Sequence, residues 1–117
     1  MAIRKELSLR LPNNAGALAG VYRLLVEERV NVVAMSLGDG GLLRMVVDNH
    51  VHGAAVLRER RHSVSERDVL VVAAADGLNA LGLIADAGIN LNYTYGAASA
   101  LILGVDDAIR ASAAAGI

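Results

Sequence analysis

The chain contains no cysteine, phenylalanine or tryptophan, and only one proline, one lysine and three tyrosines. Without cysteine there is no disulfide framework, no thiolate nucleophile and no thiolate metal site, a composition that fits a cytoplasmic protein. With so few rings, the interior must be built from leucine, valine, isoleucine and the 21 alanines, which offer few anchors for a large planar ligand. A charge excess is missing too: eleven basic against twelve acidic side chains leave a net charge of −1, which argues against a nucleic-acid or membrane footprint. Residues 1–68 carry ten basic and eight acidic groups and residues 69–117 one and four, an asymmetry too small to name a partner. No apolar stretch follows the opening Met-Ala-Ile-Arg-Lys-Glu, so it does not read as a signal peptide. The longest uncharged run, Ala87 to Val105, is interrupted by Asn90, Asn92, Thr94 and Ser99 and does not read as a membrane span.

What is present is 117 residues, 55% of them hydrophobic and 20% charged, enough for a real core in one domain or two very small ones. Leu7, Leu9 and Leu11 alternate with Glu6, Ser8 and Arg10, the pattern of a half-buried strand, which Pro12 ends. Asn13-Asn14 supplies turn and cap chemistry for a helix from Ala15 or Gly16, with Leu18, Val21, Tyr22 and Leu25 on its apolar face. Val30 to Leu37 reads as a strand, Gly38-Asp39-Gly40-Gly41 as a hairpin turn, and Leu42 to Asp48 as the returning strand. Asn49 caps a second helix, about Val51 to Arg61. Ser63 to Ala75 is long for one strand, and Arg67-Asp68 marks a bend or hand-over in it. Asp76-Gly77 breaks it, and a helix with Leu78, Leu81, Ile84 and Ala85 on one face runs to Gly88. Ile89, Leu91, Tyr93 and Tyr95 then alternate with polar or small residues, placing both tyrosines with the core side chains. Ala100 to Val105 is a further strand, and Asp106 or Asp107 caps an alanine-rich last helix.

The pattern occurs twice. At an offset of 59, Arg29-Val30-Asn31-Val32 overlies Gly88-Ile89-Asn90-Leu91. At 58, Arg44-Met45-Val46-Val47-Asp48 overlies Ile102-Leu103-Gly104-Val105-Asp106. Two copies of strand, helix, strand, strand, helix account for the chain as an α+β protein of two ferredoxin-like units, residues 1–66 and 67–117, the second without a clear last strand. On this plan Leu18, Tyr22, Leu81 and Ile84 should be buried, and the open edge of the second unit invites a homodimer.

The run Leu11-Pro12-Asn13-Asn14-Ala15-Gly16-Ala17-Leu18 followed by Val30-Asn31, and then Asp76-Gly77 followed by Gly88-Ile89-Asn90 and Tyr93-Thr94-Tyr95, resembles the signposts of tandem ACT-domain proteins. The resemblance covers residues 5 to 116. It implies a small, non-catalytic regulatory module that binds an amino acid at the interface between ACT units, contacted by the loop from first strand to first helix. It also implies a regulated enzyme as a possible partner, and neither cofactor nor metal. The residues it points to are Asn13, Asn14, Ala15, Gly16, Ala17, Leu18 and Asn31 in the first copy, and Asp76, Gly77, Leu78, Asn90 and Tyr93 in the second. Ala15 stands where the family usually has proline, and the second loop is shortened to Asp76-Gly77, so binding is expected mainly at the first loop.

The same loop has a physical case of its own. A helix N-terminus presents unpaired N–H groups and a positive dipole end, so the amides of Gly16, Ala17 and Leu18 suit an α-carboxylate, with Asn13, Asn14 or Asp76 for the ammonium. The plainer reading is that Asn14 simply caps a helix. His50, His52 and His62 lack the spacing of a metal set, and the arginines of 58–67 interleave with acidic residues as a solvated helix end does. Three competitors remain open: a ligand-free interaction or oligomerisation module, an enzyme using Asp76, Asp39 or His62, and a transcriptional accessory needing a separate DNA-binding partner. The absence of a clustered polar constellation counts against the enzyme.

Overall fold

Leu7 and Leu9 are buried on one face of strand β1 (Ile3–Arg10) in the computed structural model, which describes residues 2–117. The elements that follow are α1 (Ala17–Glu27), β2 (Val32–Leu37), β3 (Leu42–Val47), α2 (His50–Glu59), β4 (Ser65–Ala73), α3 (Gly77–Asp86), β5 (Leu91–Gly96), β6 (Ala100–Val105) and α4 (Ala108–Ala115). The result is the α+β plan of two tandem ferredoxin-like units. Two compact units are formed, one from Glu6–Arg67 and one from the residues up to Lys5 together with Asp68–Ile117, so the boundary passes through both β1 and β4.

In the unit of Glu6–Arg67 the strand order is β2-β3-β1-β4. β1 pairs antiparallel with β3, Leu7 opposite Met45 and Leu9 opposite Leu43, and β3 pairs antiparallel with β2. Facing residues of an antiparallel pair share a sheet face, so these four side chains form one apolar layer. Val21 and Leu25 of α1 and Ala54 and Leu57 of α2 close over it. Gly53 sits tightest: a Cβ there would come within 3.3–3.4 Å of Val47, Leu7 and Val30, so its bare backbone lets α2 lie low on the sheet. Asn49 caps α2 as its side chain accepts from the N–H of His52.

In the other unit β4 pairs antiparallel with β6, Leu70 opposite Leu103, and β6 with β5. Ala80 and Ile84 of α3 and Ala108, Ala111 and Ala115 of α4 cover Leu70, Val72, Leu103 and Val105. Asp107 caps α4 by accepting from the N–H of Arg110, and Gly116 ends it in the left-handed conformation. The edge expected to stand open is occupied. β1 is the neighbour of β4. The N–H of Val71 donates to the carbonyl of Ala2 at 2.8 Å, and Lys5 Nζ meets Asp68 at 2.9 Å, so the chain's opening residues run antiparallel to β4. The ion pair is half-exposed and adds little by itself; the backbone pairing closes the edge. Strand pairing with another copy is therefore not required there.

Four local expectations are corrected. α1 begins at Ala17 with Gly16 at its cap position, because Pro12 to Gly16 are used up in a turn before the helix. Tyr22 is 47% exposed: Val21 and Leu25 carry the buried stripe, and Tyr22 lies one helical step off it. Leu78 is 86% exposed because the sheet-facing residue at the start of α3 is Gly77, whose Cβ would stand 3.1 Å from the Leu101 side chain. Tyr93 and Tyr95 leave the core. A bulge between Leu91 and Tyr93 interrupts the alternation, and the pair faces Gly104 and Ile102, on the sheet face opposite Leu103 and Val105. Ile89, ahead of the bulge, stays in the core. The tyrosine rings lie nearly parallel there, 6.3 Å apart.

Candidate functional site

The end of β1 and the turn between β2 and β3 meet at one end of the first unit, because β3 runs antiparallel to β1 and starts where β1 stops. The N–H of Leu11 donates to the carbonyl of Gly41 at 2.8 Å, and that of Gly38 to Leu42 at 2.9 Å. Gly41 has φ of 80°, and a Cβ there would run into the carbonyl oxygen of Leu11, so only glycine lets the two segments approach this closely. Arg10 Nη1 donates to the Gly40 carbonyl at 3.3 Å and ties the turn to the strand.

Beyond Leu11 the chain folds back on itself. The N–H of Asn14 donates to Pro12 at 2.9 Å, the side-chain oxygen of Asn14 accepts from the N–H of Gly16 at 3.2 Å, and its carbonyl from Ala17 at 3.4 Å. Of the three amides expected to be open, those of Gly16 and Ala17 are thus engaged within the loop. The N–H of Leu18, in the first turn of α1, has no acceptor among the described residues. The plain capping reading is therefore partly right: Asn14 braces the approach to the helix, and Gly16 occupies the cap position without a side-chain bond.

Between this loop and the glycine turn lies a cavity of about 440 Å³, walled by Asn13, Asn14, Ala17 and Leu18 on one side and by Leu37 and the Gly38–Gly41 segment on the other. Among the described residues that line it, Asp39 alone is ionisable. Asn13, Asn14, Ala17 and Leu18 are thus brought together. Ala15 lines an adjoining trough of about 640 Å³ between α1 and β2, and Leu18 belongs to both spaces.

The other candidates are placed elsewhere in their own units. Asn31 follows the far end of α1, where its backbone N–H and side-chain amide donate to the Asp48 carboxylate at 3.0 and 2.9 Å. Those two hydrogen bonds, the backbone one first, hold the Asp48 carboxyl below the usual aspartate value. In the second unit Asp76, Gly77 and Leu78 stand at the start of α3. Asn90 lines a recess of about 370 Å³ with Leu81, Ile84 and Gly88 at the helix's opposite end, roughly 15 Å along its axis. The Tyr93 ring rests against Gly104, where a Cβ would stand 2.3–2.5 Å from the ring carbons. Among the described residues no three histidine or acidic side chains gather as a metal site.

The sequence reads Gly38-Asp39-Gly40-Gly41 as a hairpin turn, with Asp39 a candidate only for the competing enzyme reading and not for the amino-acid site. The signal for its second role was topological: in a strand-helix-strand-strand unit, the turn before the third strand must lie beside the end of the first.

Residues 1–114 match the family described as ACT domain pair. No curated protein matches the chain. Among solved structures it resembles protein BT0572 from Bacteroides thetaiotaomicron, with a TM-score of 0.86 at 22% identity over 97% of this chain and 86% of that one. It also resembles the regulatory subunit of aspartate kinase from Thermus flavus, with a TM-score of 0.68 at 14% identity, covering 99% and 92% of the two chains. The ligand-free form of the Thermus thermophilus subunit superposes with a TM-score of 0.71 at 15% identity, over 97% and 88%. At these identities the likeness is one of fold.

Proposed function

The chain belongs to the ACT domain pair family, and on that premise we propose that it is a non-catalytic sensor that binds an amino acid and passes its occupancy to a regulated enzyme. In sequence the two repeats are read as 1–66 and 67–117. The observation that carries the reading is the cavity of the first unit. Asp39 stands in one wall, and Leu18, in the first turn of α1 at its positive end, in the other. A free α-amino acid has the matching pair of groups, an ammonium for the carboxylate and a carboxylate for the helix end. Asn13 adds a neutral donor and acceptor to the wall that holds Leu18. At the second loop Gly77 lies against Leu101 and Leu78 is turned to solvent, and binding is read as resting on the first.

Regulation of an enzyme is supported by family membership and by the fold shared with proteins described as regulatory subunits of aspartate kinase. The protein is read as cytoplasmic and homodimeric, the second copy joining along β2, the strand at the end of the order β2-β3-β1-β4. Val33 and Leu37 of that strand are exposed apolar side chains such a contact would cover, bringing ACT units of two copies together beside the cavity.

A thermal-shift screen against the twenty amino acids tests the reading. A true ligand at 100 times its dissociation constant adds about 2.7 kcal/mol to stability, and Asp39→Asn should remove that gain. If no amino acid stabilises the protein while sedimentation still reports a dimer, the chain is an interaction module without a ligand.

A further inference from the structure

The cavity at the loop does not end at Leu18. That side chain also forms the near end of the trough between α1 and β2, whose walls continue through Ala19 and Tyr22 on the helix and Met35 on the strand. Met35 and Leu37 are alternate residues of β2 and so share a face, which carries the strand's apolar surface from the cavity into the trough without a break. Among the described residues that line the trough, only Arg23 and Glu27 bring formal charge. They are four positions apart on one helix, where opposite charges are neighbours and offset each other.

We propose that this trough receives the side chain of the amino acid whose charged head occupies the cavity, and that it selects large, uncharged, apolar side chains of leucine to phenylalanine size. The inference rests on the amino-acid reading of the cavity and adds its specificity. From Leu18 to Tyr22 the helix rises about 6 Å, one turn, a distance that a phenylalanine side chain nearly spans, a leucine covers in large part and alanine leaves empty. A lysine or aspartate side chain laid there would lose its hydration against apolar walls with no unbalanced countercharge to replace it. Ala19 supports the selection through its small size: it is exposed, so a longer residue at that position fills the trough without disturbing the core.

The test is calorimetric titration of the full chain with leucine, phenylalanine, alanine, lysine and aspartate, repeated on Ala19→Glu, with urea unfolding and sedimentation of both proteins. Leucine or phenylalanine should bind the parent at least tenfold more tightly than alanine, lysine or aspartate. Ala19→Glu should erase that advantage while leaving stability and the weak binding of alanine in place. Tighter binding of lysine, aspartate or alanine overturns the inference and leaves the amino-acid reading intact. So does an Ala19→Glu protein that keeps its preference for leucine. If that variant alters only the sedimentation, the trough belongs to a second copy and the inference is again overturned. Binding of none of the five overturns the inference, and the twenty-member screen then decides the amino-acid reading separately.

Discussion

Arg29 and Gly88, 59 positions apart in sequence, end the first helix of each unit in the same left-handed conformation, with φ of 58° and 73°. The hydrogen bonds around them repeat as well. Glu28 and Val30 donate to Leu24 and Leu25, as Ala87 and Ile89 donate to Leu83 and Ile84. Glycine reaches that conformation freely, whereas a side chain costs about 1–2 kcal/mol. Arg29→Gly should therefore stabilise the protein by roughly 0.5–1 kcal/mol, after allowing for the greater freedom of glycine in the unfolded chain. Gly88→Ala, in open space but at positive φ, should cost about 1 kcal/mol. Urea midpoints of the two variants decide it, and a destabilised Arg29→Gly would contradict the account.

Gly104 is where Tyr93 rests. Gly104→Ala must displace the ring and should cost about 1–3 kcal/mol, the usual scale for overpacking. In a Tyr93→Ala background the same substitution should cost far less, so a double-mutant cycle should show strong coupling. With no tryptophan in the chain, near-ultraviolet dichroism comes from the stacked Tyr93–Tyr95 pair and the exposed Tyr22, and in a Tyr22→Leu background it should weaken in Gly104→Ala.

Asp48 makes stability pH-dependent in a fixed direction. Hydrogen bonds from Asn31 lower its carboxyl in the folded protein, so its contribution is complete above the unfolded value, about 4, and fades as pH falls through the lower folded value. Asp48→Asn should flatten the acid side of a plot of urea midpoint against pH and leave the curve above pH 6 parallel to the parent's. An unchanged acid limb would show that the Asn31–Asp48 pair forms equally in the unfolded chain.

Gly16→Val tests the loop. A Cβ at Gly16 meets nothing nearer than the side-chain oxygen of Asn14 at 4.0 Å, and the backbone there is already right-handed, so the fold should tolerate it within about 1 kcal/mol. A branched side chain at the mouth of α1 should nevertheless weaken ligand-induced stabilisation at least tenfold in apparent affinity. Equal binding by parent and variant, measured by calorimetry, would move the carboxylate site away from the helix end.

The order of elements was legible because each is announced by a local rule: leucine alternation in β1, the Asn49 cap, an aspartate cap at 106 or 107, and glycine at 88. What escaped depended on neighbours far away in sequence. Tyr22 and Leu78 satisfy helical periodicity, yet Val21 and Gly77 are the residues the sheet accepts at those turns. The exile of Tyr93 and Tyr95 follows from a bulge that no residue pattern announces. At the site, the helix-entry residues Asn13 to Leu18 were visible from their turn chemistry. Asp39 was not, because its role arises only when β3 is laid beside β1. The engagement of the Gly16 amide by Asn14 was hidden for a similar reason: one asparagine oxygen serves either a cap or a preceding turn, and the backbone path decides which.

Because Ile3 to Lys5 flank β4, the ribosome makes one edge of the second unit before residues 6–67 and the rest of that unit after them. While residues 6–67 are being synthesised, that short segment has nothing to pair with, and the unit it completes cannot close until Val71 and its neighbours have emerged. An amino-terminal truncation past Lys5 should therefore injure the carboxy-terminal half of the polypeptide, and hydrogen exchange should show the loss of protection at Val71 ahead of Leu43.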